Sequence, residues 1–214
     1  MIFTGRALAI AGVLTLGLSG CVTVLPKAQP VQLYSFGHVA PAADRQAPGV
    51  PPTMIVALPT AFPMAVAGDR ILTTRGLEAA YLARARWVST AQVLFDDTEV
   101  RAFAASPGAA RLLRRDQGDE AALGLRLDVQ TFEARFVADQ PAGRSGAAPT
   151  VVVAVRAELS RLADRKVVAS RIFQSRQPAD AGRIGAIVAA FDRASVDVLN
   201  QVVAWTDLTV RAPG

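Results

Sequence analysis

Two runs of strict alternation followed by one long helical stripe do most to limit what this chain can become. Leu123, Leu125, Leu127 and Val129 occupy every second position, and Val151, Val153, Val155, Ala157 and Leu159 repeat the pattern. A period of two gives each strand one apolar face. In the first run the phase slips at Thr131 and Phe132 and resumes with Ala134 and Phe136, which predicts a bulge or strong bend near Thr131. From Ile184 the period becomes helical: Ile184, Ile187, Val188, Phe191, Ala194, Val198, Leu199 and Val202 share one face. Asp180 is placed to cap that helix and Trp205 to end it.

The remaining elements are shorter. Val31 to Phe36 and Met54 to Leu58 read as strands, separated by a proline-rich loop, and Arg70 to Arg75 with Glu78 to Leu82 read as a hairpin about Gly76. Ser89-Thr90-Ala91-Gln92 has the form of a capping box, opening a helix that runs to about Ala105, where Ser106-Pro107-Gly108 stops it. On that helix Val93, Val100 and Phe103 are expected inside. Val167 to Ser175 forms the last strand; its turn, Asp164-Arg165-Lys166, lacks glycine, and an arginine at positive φ costs roughly 1 kcal/mol or more. A turn longer than two residues is therefore expected. The economical arrangement is α+β: an antiparallel sheet with two main amphipathic helices packed on one face.

The N-terminus carries a different message. Met1 to Arg6 holds one positive charge, and Ala7 to Leu18 is almost wholly apolar or small. About 20 such residues are needed to cross a bilayer, so this run is too short and has the pattern of an export signal. It ends in Leu18-Ser19-Gly20-Cys21, which resembles the lipobox of bacterial lipoproteins and contains the only cysteine. That resemblance implies a thiol alkylated by a diacylglyceryl group, cleavage before Cys21 and acylation of the new amino group. Several acyl chains on one residue hold a protein lastingly where a single chain holds it marginally. Val22 stands where an aspartate would resemble the inner-membrane retention signal, which favours the outer membrane, periplasmic face. The expected organisation is a signal peptide over 1–20, a tether over 21–30 and one domain over 31–210. Ten residues of tether reach at most about 35 Å.

Cleavage leaves about 194 of the 214 residues, enough for one domain with a real core. The formal charge of +5 falls to +4 with the loss of Arg6, and nearly all the basic residues are arginine. A basic balance suits anionic head groups or an acidic partner; an exported, tethered protein has no nucleic acid to meet.

Candidates for chemistry are few. His38 is the only histidine and falls in a proline-rich loop, and no Gly-x-Ser-x-Gly elbow supplies a serine for it. One histidine and no free thiol make a poor zinc site, and no phosphate-cradling glycine loop occurs. No cofactor, metal or catalytic residue is assigned. Asp96, Asp97 and Glu99 form an acidic run on the first helix; neighbours there diverge by about 100°, so a solvated face is expected. Arg111, Arg114 and Arg115 form a basic group after that helix. They are either a solvated turn or a contact for lipid phosphates or an acidic partner. The alternating sheet face is compatible with a covered core or with an open groove for acyl chains.

The order of "LYSF", "DRILTTRGLEAAYLARARW", "LRLDVQTFEARF", a hairpin, "RIFQSRQP" and a helix closing on Trp205 resembles the ABC-type transport auxiliary lipoprotein family, PqiC-like subunits of membrane-integrity-associated transporters. The resemblance runs from Leu33 to Trp205, carried by Ile71, Arg75, Tyr81, Trp87, Phe132, Phe173, Pro178 and Trp205. It implies a non-catalytic component that docks or receives an MCE-domain transporter subunit at the outer membrane. Such a system moves phospholipid or other hydrophobic molecules between membranes. A lipid-binding carrier holding acyl chains in its own cavity is the alternative, and a homo-oligomer is a candidate assembly.

Overall fold

A computed structural model describes residues 30–40, 51–117, 121–137 and 147–212. Leu18, Ser19, Gly20 and Cys21 lie outside the described residues. The elements are β1 (Gln32–Tyr34), β2 (Thr53–Ala57), α1 (Met64–Ala67), β3 (Arg70–Arg75), β4 (Glu78–Trp87), α2 (Ala91–Ala105), β5 (Ala110–Leu113), a single 3-10 turn (Arg115–Gln117), β6 (Leu123–Phe136), β7 (Thr150–Arg161), β8 (Val167–Pro178) and α3 (Ile184–Arg211).

All eight strands join one sheet organised by β6. Along one edge β6 pairs antiparallel with β7, from Leu123↔Arg161 to Arg135↔Thr150, and β7 pairs antiparallel with β8. Its other edge is shared. β2 runs parallel to the start of β6 (Ile55↔Leu123), and β3 runs parallel to its end (Thr73↔Ala134, Arg75↔Phe136). Between them Ala61 bridges to Asp128. β5 lies parallel outside β2, β4 antiparallel outside β3, and β1 parallel outside β4.

The α+β class thus holds, but the sheet is mixed where an antiparallel one was expected. The cause is the segment after β2. Instead of turning back it keeps following β6: the Leu58 and Ala61 amides donate to the Leu125 and Leu127 carbonyls at 2.8 and 2.9 Å. The short α1 then steps the chain onward, and β3 resumes the same edge in the same direction.

The phase slip does what alternation requires. Register shifts between Val129 and Thr131 in the β6–β7 ladder, which returns Phe132 to the helix-facing side. Phe132 then becomes the hub of an aromatic cluster, with ring centroids 4.9 Å from Phe191, 5.3 Å from Phe36 and 5.9 Å from Phe62. Trp87 meets Phe36 edge-on at 4.9 Å and Phe191 at 5.4 Å. Opposite, α3 inserts Ile187, Phe191, Ala194, Val198, Leu199 and Val202, all fully or nearly fully buried, with Ile184 half-buried at its start. The space between sheet and helices is filled by these side chains.

Several local expectations change. Thr90, not Ser89, caps α2 by accepting from the Val93 amide at 3.3 Å, while Gln92 reaches away to the Thr60 carbonyl at 2.8 Å. Asp180 does not cap α3; it pairs with Arg193 at 3.6 Å, and Arg183 occupies the cap position without a side-chain bond. α3 continues past Trp205, whose ring packs 5.7 Å from Phe173. The β7–β8 turn is longer than two residues, as expected, yet Arg165 still takes a left-handed φ of 58°. Asp164 offsets that strain by accepting from the Lys166 amide at 3.1 Å and from Arg161 at 2.9 Å. The described residues from Val31 onward form one compact unit. Among the described residues no helix is long and apolar enough to cross a membrane.

Candidate functional site

α2 is the element whose orientation departs most from expectation, and the departure creates the site. Its buried stripe runs through Leu94, Phe95, Thr98, Ala102 and Phe103, while Val93 is 48% exposed. This rotation carries Glu99, expected in solvent, into the protein with only 2% of its surface exposed. Glu99 Oε1 is buried and has no hydrogen-bond partner among the described residues. Burial pushes its carboxyl well above the usual carboxylate range, and the neighbouring Asp96 charge pushes the same way.

Asp96, one turn earlier on the same face, is raised mainly by burial. The Thr60 hydroxyl beside it acts in the opposite direction, and the Asp97 charge adds to the rise. Thr60 Oγ1 and Asp96 Oδ1 are both buried, and neither has a hydrogen-bond partner of normal geometry among the described residues.

These groups lie along an open cleft of about 220 Å³, lined by Ala57, Leu58, Pro59, Asp96, Glu99, Val100, Arg114 and Arg115. One wall is the chain leaving β2, one is α2, and the third is the segment after β5. The predicted arginines divide accordingly. Arg114 and Arg115 are exposed at the cleft, with Arg114 also paired to Asp97 at 3.4 Å. Arg111 lies within β5 and donates to the Ser106 carbonyl at 3.0 Å, away from the cleft. The group of three arginines is therefore one strand residue bonded to a loop and two residues beside the half-buried Asp96 and the buried Glu99.

His38 serves a clamp. Its Nδ1 lies 2.8 Å from Asp192 Oδ1, the oxygen that also accepts from the Gly37 and His38 amides at 2.6 and 2.9 Å. Arg101 donates to the Gly37 carbonyl at 3.1 Å, so the segment after β1 is held by both helices. A second cleft of about 260 Å³, lined by residues including Ser106, Asn200 and Asp207, separates the ends of α2 and α3. There Asp207 Oδ1 accepts from the Ala110 amide at 2.8 Å and fixes the loop before β5. Among the described residues no group of three or more His, Cys, Asp or Glu is placed to hold a metal.

The residues behind the family resemblance are mostly framework. Ile71 and Trp87 are buried, Tyr81 donates to the Ala65 carbonyl at 3.0 Å under the Arg70 guanidinium, and Phe132 is the aromatic hub. Residues 34–203 match the family described as the ABC-type transport auxiliary lipoprotein component. The chain belongs to that family.

None of the curated proteins matches this auxiliary lipoprotein. Solved structures do. A protein of family DUF330 from Xanthomonas campestris is 25% identical with a TM-score of 0.69, covering 84% of this chain and 97% of its own. An uncharacterized protein with a TM-score of 0.63 and 11% identity, covering 83% of this chain and 99% of its own, shares the fold. The auxiliary lipoprotein is thus a component of an ABC-type transport system and not a member of a known enzyme family.

Proposed function

We propose that this chain is a non-catalytic docking component, acylated at Cys21 and held at the periplasmic face of the outer membrane. Its partner is an MCE-domain subunit of a transporter that moves phospholipid or other hydrophobic molecules between the membranes. The observation that supports this best is the polarity of the sheet. β1 runs parallel to β4, and β4 begins at the hairpin tip of Gly76 and Leu77. The chain therefore runs into β1 from the direction of that tip, which lies beside Phe136 at the end of β6, and β1 itself pairs with the last residues of β4, Ala85 to Trp87. Arg111, Arg114 and Arg115 belong to the other end: β5 begins two residues beyond the level of Leu123, where β6 starts. A chain that arrives from one direction and carries its basic group at the other end supports a partner that docks at the arginine end.

The filled interior favours docking over carriage. Phe36, Trp87, Phe132 and Phe191 touch ring to ring where an acyl chain between sheet and helices would have to lie. A surface partner needs no such cavity.

Two measurements test the proposal. Cells fed a clickable fatty acid should label the wild-type chain and leave Cys21→Ser unlabelled; an unlabelled wild type refutes the anchor. Purification from detergent-solubilised outer membranes should retain an MCE-domain protein, identified by mass spectrometry. Charge reversal at Arg111 and Arg114 should weaken that association and flatten its salt dependence. Stoichiometric extraction of phospholipid by the purified chain, with no MCE protein bound, would replace docking by carriage.

A further inference from the structure

The cleft between α2 and the end of β2 joins two of the docking arginines to groups that docking does not use. Its floor offers Glu99 and Asp96, with Thr60 behind them, and an oxygen of each is buried without a hydrogen-bond partner among the described residues. Buried acceptors in that state favour a group that brings N–H donors. Its mouth offers the opposite sign, Arg114 and Arg115, whose guanidinium groups suit a phosphate. Ala57, Leu58, Pro59 and Val100 supply apolar wall between them. At about 220 Å³ the space fits a small head group and falls below the 300–1,000 Å³ typical of drug-sized ligands.

A purely cationic ligand would meet the arginines, and a purely anionic one would meet the acids. Only a ligand carrying both signs uses every wall. From this arrangement we infer that the cleft binds a zwitterion with a primary ammonium two carbons from a phosphate, the chemistry of phosphoethanolamine, free or as a phospholipid head group. The ammonium sits on Glu99 and Asp96, and the phosphate sits at Arg114 and Arg115. A quaternary ammonium has no N–H to give those oxygens and is excluded.

Binding is coupled to a proton. Glu99 faces Asp96 on its own helix, only uncharged residues on the β2 side, and Arg114 and Arg115 on the β5 side. Burial raises its pKa well above the ordinary carboxylate range, which favours the protonated form in the free protein. The arriving ammonium favours the carboxylate, so the Glu99 proton passes to solvent as the complex forms.

The inference does not depend on the docking partner, and its test contains none. The chain, purified in maltoside micelles, is titrated calorimetrically near neutral pH with O-phosphoethanolamine in buffers of different ionisation enthalpy. Binding with proton release is expected. Ethanolamine, inorganic phosphate and phosphocholine should each bind about tenfold more weakly or worse, because each lacks one set of charge-assisted hydrogen bonds. Glu99→Gln should abolish proton release and weaken binding. Arg115→Ser, at an exposed position that cannot disturb the core, should erase the advantage over ethanolamine.

Phosphatidylethanolamine added to the micelles should compete while phosphatidylcholine does not, which identifies a lipid head group. Competition by neither lipid, with phosphoethanolamine still bound, identifies a soluble aminophosphate. No binding of phosphoethanolamine, equal binding of phosphocholine, absence of proton release, or wild-type affinity in Glu99→Gln overturns the inference. So does equal affinity for N-acetyl-lysine amide, which points to a basic side chain of a protein instead.

Discussion

Replacing Glu99 by glutamine should make the protein more stable, by an amount that grows with pH. In the unfolded chain this carboxyl ionises near the ordinary glutamate value of about 4.3. In the folded protein burial and the Asp96 charge hold it protonated to a much higher pH. The native state therefore keeps a proton that the unfolded state has released. Stability must fall as pH rises through this window, by up to about 1.4 kcal/mol per pH unit. The loss stops once the folded carboxyl also ionises. The amide of the variant has no proton to exchange, and Asp96 titrates in both proteins, so its contribution largely subtracts out. The stability difference should be small near pH 4 and grow by up to about 1.4 kcal/mol with each pH unit until the folded carboxyl ionises. For a chain of this size each kcal/mol corresponds to about 2–4 °C in melting temperature. Urea unfolding of both proteins at half-unit steps from pH 4 to 8 measures it, and the pH where the difference levels off reads the folded pKa of Glu99. A difference independent of pH would refute the assignment of a buried, protonated, unpaired carboxyl.

Other outcomes follow from the packing. Phe191→Ala removes a fully buried ring in contact with Phe132 and Trp87 and should cost about 3–5 kcal/mol by chemical denaturation; a loss below about 1 kcal/mol would contradict the helix-on-sheet core. Asp192→Ala deprives the Gly37 and His38 amides of their shared acceptor and should cost about 1–3 kcal/mol, with faster hydrogen exchange confined to that segment. Gly37→Ala should also destabilise, since Gly37 has a φ of 85° and an added Cβ would collide with Thr98.

The strands and the stripe of α3 were legible because each obeys one period over many residues. Leu123 to Val129 and Val151 to Leu159 name both their element and their buried face, and the slip at Thr131 announced the bulge that puts Phe132 inside. Pairing was not legible. Nothing within Thr53–Ala57 or Arg70–Arg75 reveals that both lie parallel along one edge of β6, because parallel partners such as Ile55 and Leu123 are chosen by contacts far along the chain. α2 misled for a different reason. Its apolar residues are spread widely enough that two stripes compete, and choosing Val93 and Val100 rotates the helix so that Glu99 points to water. The dipeptides Leu94-Phe95 and Ala102-Phe103, eight residues apart, bracket Thr98-Glu99 and mark the stripe that is buried. The clamp at Asp192 had no sequence signal, because its donors are backbone amides more than 150 positions away.

The join between β1 and the rest of the domain has a mechanical meaning. A chain tugged from the N-terminal side of β1 is pulled along the strand axis, so its ladder to β4, from Gln32↔Ala85 to Tyr34↔Trp87, is loaded in shear. All of its hydrogen bonds resist together instead of opening one after another. Immediately behind stand Phe36, buried against Trp87 and Phe132, and the Gly37–His38 amides locked to Asp192 on α3. Force therefore passes from a three-residue strand into the aromatic core and the longest helix. A load applied from that side therefore meets the domain where it is fastened most firmly.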